Sequence, residues 1–321
     1  MSWNPTLDHD LSGANDPDLI ETLIIPRARD LAGFEVRRAL PSMKRQMVGP
    51  FIFFDQVGPA EFITEGGIDI QPHPHIGLGT VTYLYQGEFE HRDSIGTRQM
   101  IYPGEVNWML AGEGVTHSER TSAETRRKTP HSLFGVQTWV ALPEDREDMA
   151  PTFEHHAKKA LPELNDNGAF ARLILGNAWG EASPVTMHSE IFYADVTLEP
   201  HASFPMPDGH EDRGLYVTQG SIEVAGQTFE AGHMMVFRPG DRIAVRAGAR
   251  GARVMALGGE TLNGPRYIWW NFVSSSVDKI EEAKEAWKAA NFKSGLFRLP
   301  AGDAEEFIPI TPEMDRMKIK R

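Results

Sequence analysis

Short runs of alternating apolar and polar residues fill the chain from about residue 34 to about residue 142. Glycine and proline interrupt these runs roughly every 8–12 residues, a spacing typical of an all-β sandwich or barrel. Residues 80–85, for example, place Val81, Tyr83 and Tyr85 on one face of a predicted strand. Short strands joined by tight turns must pair antiparallel, because parallel neighbours need a long crossover. The pattern therefore predicts an antiparallel β-domain.

A second region with the same rhythm runs from about residue 171 to about residue 262. Its sequence LYVTQGSIEV (215–224) resembles TYLYQGEFE (82–90) of the first region, which suggests an internal duplication. By this analogy, one strand ends at Gln219-Gly220 and another begins, with further turns at Gly226 and at Pro239-Gly240. We expect two β-domains with one architecture.

The stretch from residue 149 to residue 168 is polar and charged, and it predicts a connection between domains with at most one short helix. The expected division is an N-terminal metal-binding domain over 1–150 and a C-terminal domain over 151–321. His155 and His156 lie in this stretch and are expected to be solvated.

Near the C-terminus the spacing of apolar residues changes to that of a helix. Asp278 is the predicted N-cap. Lys284, Glu285 and Lys288 are expected to face water. The stripe that packs against the protein is predicted to consist of Ile280, Ala283, Trp287 and Ala290.

Composition excludes several classes of site and partner. The chain has no cysteine, so a metal must be held by imidazole, carboxylate or backbone oxygen. Its net charge of −13 argues against direct binding to nucleic acid or to an anionic membrane. We find no signal peptide and no apolar run near the roughly 18 residues that cross a bilayer, and we expect a cytoplasmic protein.

Two pairs of residues carry the candidate chemistry. His73 and His75 are two residues apart, so both imidazoles point to the same side of a strand. His117 and Glu119 form a second pair with the same spacing. If hairpins bring the two strands together, three imidazoles and one carboxylate converge and can hold one divalent ion. His91 is expected behind this site or at the surface.

An octahedral ion with these four ligands would keep two positions for substrate or dioxygen, whereas a tetrahedral zinc would leave none and would be structural. Gly112 and Gly114 reduce the bulk beside His117 and favour the open arrangement, although glycine is equally needed for turns. Histidine binds metal only when neutral, so we expect the ion to be lost well below about pH 6.

The segments that carry these residues resemble the pirin family of two-domain cupins. They are FEVRRALP (34–41), HPHIGLGTVTYLYQGEFEHRDS (73–94), YPGEVNWMLAGEGVTHSE (102–119) and QTWVALP (137–143). The resemblance implies an all-β fold of two tandem cupin barrels, which are jelly rolls or double-stranded β-helices, with a short C-terminal helix. It also implies one Fe(II)-type site at His73, His75, His117 and Glu119. Zn, Mn, Ni or Cu are alternatives.

The same resemblance implies a dioxygenase of the quercetin 2,3-dioxygenase type, with a flavonol-like substrate and dioxygen as partners. Glu119 would be its catalytic residue, because a ligand carboxylate can loosen and accept the enol proton. The alternative is a non-catalytic iron-dependent redox sensor or regulator that acts through a protein partner. The C-terminal cupin is degenerate, since Met206 and Asp208 stand where ligands would be, and we expect no metal there.

Overall fold

The computed structural model describes residues 17–31, 34–63 and 66–321. The α-helices are α1 Ala123–Arg127, α2 Val277–Lys288 and α3 Pro312–Asp315, and 3-10 turns cover Pro17–Leu19, Glu144–Arg146 and Lys158–Ala160. The strands in chain order are β1 Ile20–Ile24, β2 Arg27–Leu31, β3 Phe34–Leu40, β4 Phe51–Phe62, β5 Asp69–His75, β6 Leu78–Gln86, β7 Phe89–Asp93, β8 Arg98–Ile101, β9 Val106–Leu110, β10 Val115–Arg120, β11 His131–Ala141, β12 Thr152–His156, β13 Glu163–Asp166, β14 Ala169–Ala178, β15 Glu181–Ala182, β16 Ile191–Leu198, β17 Ser203–Pro205, β18 Asp212–Val224, β19 Gln227–Glu230, β20 Met234–Phe237, β21 Ala244–Gly259, β22 Tyr267–Trp269 and β23 Phe272–Ser274.

The described chain forms two units, each assembled from several segments. The histidine unit comprises described residues of 28–36, 55–158 and 262–321, and the second unit comprises those of 1–27, 37–54 and 159–261. Helix α2 falls in the histidine unit. The division of the chain into domains 1–150 and 151–321 stays a prediction.

Two sheets form the β-fold of the histidine unit. One has the strand order β5-β10-β7-β8, and the other has the order β12-β9-β6-β11-β4-β3-β2. Apolar side chains from both sheets meet in one cluster of buried residues, namely Ile68, Leu84, Phe89, Ile101 and Leu133. The predicted strands around 80–110 are confirmed as β6, β7, β8 and β9, paired antiparallel with their neighbours.

The second unit is built on one sheet, with the order β1-β20-β18-β21-β16-β14-β13 along its main path. The predicted turn at Gly226 is confirmed, because Ala225 and Gly226 link β18 to β19 with positive φ. The predicted break at Gln219-Gly220 is wrong. Strand β18 continues through it with register shifts, and the φ of Gly220 is 72°. A Cβ at residue 220 would lie 2.2 Å from the Gly251 carbonyl oxygen, so this glycine allows a bulge.

The polar stretch 149–168 is more ordered than the sequence predicts. It contains β12 and β13 as well as a 3-10 turn. Strand β12 pairs with β9 at the edge of its sheet, and an edge strand can remain polar because part of its surface faces water. His155 is accordingly half-buried, with its Nδ1 2.8 Å from the Asn107 side-chain oxygen, and is not simply solvated.

The C-terminal helix is confirmed, but its ends and one face differ from the prediction. Ser276 is the N-cap and accepts from the Lys279 N–H, so Asp278 lies inside the first turn. Ala290 lies beyond the helix end at Lys288. Lys284 is buried, not exposed: its Nζ lies 4.7 Å from the ring centroid of Trp269. The long aliphatic stem lets this side chain pack among aromatic rings while its charge is paired.

Two basic clusters of the sequence, Arg37-Arg38 and Lys44-Arg45, have partners within the second unit. Arg45 pairs with Glu21 at 2.9 Å and with Asp212 at 2.8 Å. The Lys44 ammonium donates to the Leu23 carbonyl, and the Arg38 guanidinium lies 4.4 Å from the ring centroid of Phe53.

Within the part of the chain that the structure describes, we find no helix with the length and apolarity needed to cross a membrane.

Candidate metal centre

The histidines of the sequence motif meet on two neighbouring strands. β5 and β10 pair antiparallel, with His73 opposite His117 and His75 opposite Val115. Directly opposite residues point to the same face of a sheet, so all three imidazoles project into the unit from one side. A register shift between His117 and Glu119 aligns Glu119 with Ile70. The sequence places each pair on one face, and the register brings His73, His75 and His117 together.

The three imidazoles form a compact group. Their candidate ligand nitrogens lie within 4.8 Å of one another, and the Nε2 atoms of His75 and His117 are 3.1 Å apart. His73 is 7% exposed, and His75 and His117 are 1% exposed. A single ion placed among these nitrogens would be held by side chains that water barely reaches.

Burial keeps these imidazoles neutral. It lowers the pKa of His73 to about 4, with a smaller opposing contribution from the Gln71 carbonyl. Burial, followed by the charges of neighbouring histidines, holds the pKa of His75 and of His117 well below the ordinary value. Neutral imidazole is the form that binds metal, so the site is prepared for a cation near neutral pH.

Hydrogen bonds orient two of the rings. The Nδ1 of His73 lies 2.8 Å from the Gln71 carbonyl oxygen, and the Nδ1 of His75 lies 3.2 Å from the Asn271 carbonyl oxygen. A carbonyl oxygen can only accept, so each Nδ1 carries the proton and each Nε2 keeps its lone pair. A metal-binding histidine commonly donates its other ring N–H to a carbonyl oxygen in this way.

Glu119 occupies a different position from the three histidines. It is 3% exposed, and its Oε1 accepts a hydrogen bond of 2.6 Å from the Gln137 side-chain amide. Its carboxylate is not in the group whose ligand atoms lie within 4.8 Å of one another. Burial raises the pKa of Glu119 to about 7, although the Gln137 hydrogen bond opposes this rise. Its role as fourth ligand and as catalytic residue stays a prediction.

A narrow apolar cavity lies beside Glu119. The side chains that line it come from both sheets of the histidine unit, and the space open to a water-sized sphere is about 20 Å³. This is roughly the room of one water molecule. The lining residues are Val57, Ile68, Ile70, Thr82, Leu84, Phe89, Leu133 and Val136, together with Glu119 and Gln137.

Sequence reasoning did not identify Gln137 or Asn271 as parts of the site. Asn271 is 196 residues from His75, and it contributes a backbone oxygen, which no residue type reveals. Gln137 lies opposite Thr82 in the β6–β11 pair, and both residues line the cavity beside Glu119, a pairing that only the register reveals. His91 was predicted either behind the site or at the surface; it is 4% exposed and its Nδ1 lies 3.3 Å from that of His117.

Gly112 has a backbone explanation. Its φ is 52°, and a Cβ would lie 1.9 Å from the Met149 carbonyl oxygen. A Cβ on Gly114 would lie 3.2 Å from the Phe297 ring. Turn geometry and close packing therefore account for both glycines, which makes them weak evidence for an open metal site.

The donor set fits a metal ion. Three neutral imidazoles, two of them oriented by carbonyl oxygens, suit zinc, copper, iron and nickel alike. No thiolate competes, because the chain has no cysteine. The two β-units and this buried histidine group together define a two-cupin protein with a candidate metal centre in one cupin.

The comparisons identify the family. Residues 33–140 match the Pirin family model, and residues 193–293 match the model described as the Pirin C-terminal cupin domain. A pirin-like protein from Caulobacter vibrioides is 46% identical over 91% of this chain and 99% of its own length. The chain belongs to the pirin family.

Solved structures show the same architecture. The crystal structure of quercetin 2,3-dioxygenase from Acinetobacter baumannii has a TM-score of 0.83 and 31% identity, covering 94% of this chain and 98% of that one. A bacterial pirin from Escherichia coli in complex with nickel(II) has a TM-score of 0.60 and 17% identity, covering 75% of this chain and 99% of that one, and supports the fold alone. The predicted two-cupin fold is confirmed.

Proposed function

We propose that the protein is a metal-dependent dioxygenase with activity of the quercetin 2,3-dioxygenase type. The observation that carries the proposal is the buried group of His73, His75 and His117, with ligand nitrogens within 4.8 Å of one another. The similarity to a structure named quercetin 2,3-dioxygenase supports the choice of reaction. We propose Glu119 as the fourth ligand and Fe(II) as the ion.

Each residue of the site has a separate proposed role. His73, His75 and His117 would hold the ion, and the carbonyls of Gln71 and Asn271 leave the Nε2 atoms of His73 and His75 free for it. When bound, a divalent iron supplies Lewis acidity and one-electron redox chemistry. Glu119 would accept the proton of the substrate enol, a role supported by its burial and by the Gln137 amide that orients its carboxylate.

The apolar cavity beside Glu119 supports its proposed role as proton acceptor. Its aliphatic and aromatic walls keep bulk water away from the proposed proton acceptor. In the described conformation it has room for water or dioxygen. A flavonol would enter only after side chains of the wall move apart.

The test is anaerobic loading of the purified chain with Fe(II), followed by oxygen uptake with quercetin and mass spectrometry of the product under ¹⁸O₂. We expect uptake and incorporation of both oxygen atoms. His117→Ala serves as the control for activity of free iron. A chain that holds iron and shows no uptake with several flavonols would overturn the enzyme proposal.

The alternative of a redox sensor or regulator, acting through a protein partner, needs the same ion but no turnover. The experiment above therefore separates it from the dioxygenase. Zn, Mn, Ni or Cu as the resident ion, the cytoplasmic location, the domain division at residue 150 and a metal-free C-terminal cupin stay predictions. Elemental analysis of protein purified without added metal tests the identity of the ion.

A further inference from the structure

A third pair of residues two apart lies next to the two predicted ligand pairs. His91 and Asp93 are on β7, which pairs with β10 so that Asp93 is opposite His117 and His91 is opposite Glu119. Both side chains therefore project from the same face as the ligand strand. His91 is 4% exposed and Asp93 is 1% exposed, so neither is a surface group.

The pair makes a continuous chain of contacts to His117. The Nδ1 of His91 lies 3.3 Å from the Nδ1 of His117, and the Nε2 of His91 lies 3.0 Å from Oδ2 of Asp93. The His91 ring also stacks on Phe153 at 4.6 Å, with an angle of 28° between the ring planes. The imidazole is thus held on its face and at both nitrogens.

Asp93 is fixed in turn by the backbone. Its Oδ1 accepts from the N–H groups of Ile95, at 3.1 Å, and Thr97, at 2.8 Å, in the turn that leads to β8. Two donors on one oxygen leave Oδ2 directed at His91. The orientation of the carboxylate is therefore set by local chain geometry and does not depend on a bound ion.

His117 differs from the other two histidines in what its Nδ1 meets. His73 and His75 face carbonyl oxygens, which accept only. His117 faces an imidazole nitrogen, which donates or accepts according to its tautomer. The Asp93 carboxylate can only accept, so it fixes the His91 proton on Nε2. The Nδ1 of His91 then keeps its lone pair, which accepts from the Nδ1–H of His117.

We propose that His91 and Asp93 are positioning residues that set the tautomer of His117 and leave its Nε2 free for a metal ion. The proposal rests on the metal site proposed above. It assigns these two residues to metal affinity, with no direct contact to the ion. Loss of such a contact behind a ligand histidine lowers affinity by about 10–100-fold.

Asp93→Asn is the sharpest variant. The amide has the shape of the carboxylate, and its oxygen can keep the bonds from Ile95 and Thr97, which directs the NH₂ group at His91. That group donates, so the preferred proton positions reverse through both rings and the Nε2 of His117 becomes protonated. An amide behind an imidazole can impose the wrong tautomer while the geometry stays intact.

The experiment titrates the full-length metal-free chain with Co²⁺ near neutral pH and follows the d–d absorbance. We expect about 10–100-fold weaker binding in Asp93→Asn and in His91→Phe, measured on metal-free proteins shown to be folded at the assay temperature. His91→Asn, whose amide can take the place of Nδ1, is expected to recover part of the affinity. His155→Phe removes a half-buried histidine of the same unit that does not contact the three grouped imidazoles, and it is expected to bind as the wild type does.

A second measurement does not depend on how the variants fold. Long-range ¹H–¹⁵N NMR of the Zn²⁺-loaded wild type is expected to show protons on Nδ1 of His117 and on Nε2 of His91. The opposite tautomer of His91, or wild-type Co²⁺ affinity in both folded variants, would overturn the proposal. A wild-type chain that takes up neither Co²⁺ nor Zn²⁺ would instead overturn the metal site itself, and this proposal with it.

Discussion

The Nε2 atoms of His75 and His117 lie 3.1 Å apart in a place that water barely reaches. Two imidazole lone pairs at this distance repel each other unless a proton or a cation lies between them. The backbone carbonyl of Asn271 fixes the proton of His75 on its other nitrogen, which directs the lone pair at His117. This contact is the geometric core of the candidate centre.

Removing one imidazole of this contact is expected to remove the metal. His117→Ala should weaken Co²⁺ or Fe(II) binding by more than the roughly 10–100-fold that contacts behind a ligand contribute. Isothermal titration and elemental analysis measure the effect. His201→Asn is the matched control, because His201 is exposed with a φ of 64°, which asparagine tolerates. Equal binding in both variants would contradict histidine ligation.

Acid is expected to release the metal at lower pH than the sequence alone suggests. Free imidazole takes up a proton near pH 6.5, but burial lowers the pKa of His73 to about 4 and holds that of His75 and His117 well below the ordinary value. Protons therefore compete weakly with the ion until the pH approaches about 4. Dialysis at a series of pH values with elemental analysis tests this, and complete loss by about pH 6 would refute it.

Burial of Glu119 predicts that the metal-free protein loses stability as the pH rises. The folded pKa, about 7, is higher than the ordinary value of 4.5, so the carboxyl favours folding below pH 4.5 and this stability is lost as the pH rises through about 7. Glu119→Gln lacks this dependence. We expect the variant to be more stable than the wild type by up to about 3 kcal/mol at alkaline pH.

Urea unfolding with a chelator present measures the Glu119 effect, and the difference between the two proteins should shrink toward pH 5. His73 acts in the opposite direction over its own range. Its folded pKa, about 4, is below the ordinary value of 6.5 because the imidazole is buried in its neutral form. The stability of the fold therefore decreases as the pH falls from 6.5 to about 4, equally in both proteins. A difference independent of pH would contradict an ionisable Glu119.

Lys284 is expected to stabilise the histidine unit through packing as well as charge. Its Nζ lies 2.8 Å from the Glu281 carboxylate and 4.7 Å from the ring centroid of Trp269. Lys284→Ala should cost about 1–2 kcal/mol, because it removes both the cation–π contact and the buried stem. Lys293→Ala, at an exposed lysine just after the helix, should leave the thermal midpoint unchanged. Equal midpoints for the two variants would refute the packing role.

The sequence by itself determined what depends on local periodicity. Alternation along a strand placed His73 with His75 and His117 with Glu119 on common faces, and the rhythm of turns predicted the two β-domains. His91 and Asp93 obey the same alternation, so this third pair was within reach of the same reasoning. Each of these inferences needs only the next few residues of the chain.

Only the tertiary structure decided which faces meet and what each side chain encounters there. The dipeptide Gln-Gly ends a strand at residues 86–87 but forms a bulge at 219–220, because the second glycine passes close to the backbone of Gly251. The shifted pKa of Glu119 and the carbonyl of Asn271 beside His75 come from residues far apart in the chain. Burial and strand register are properties of the whole fold, and no short segment contains them.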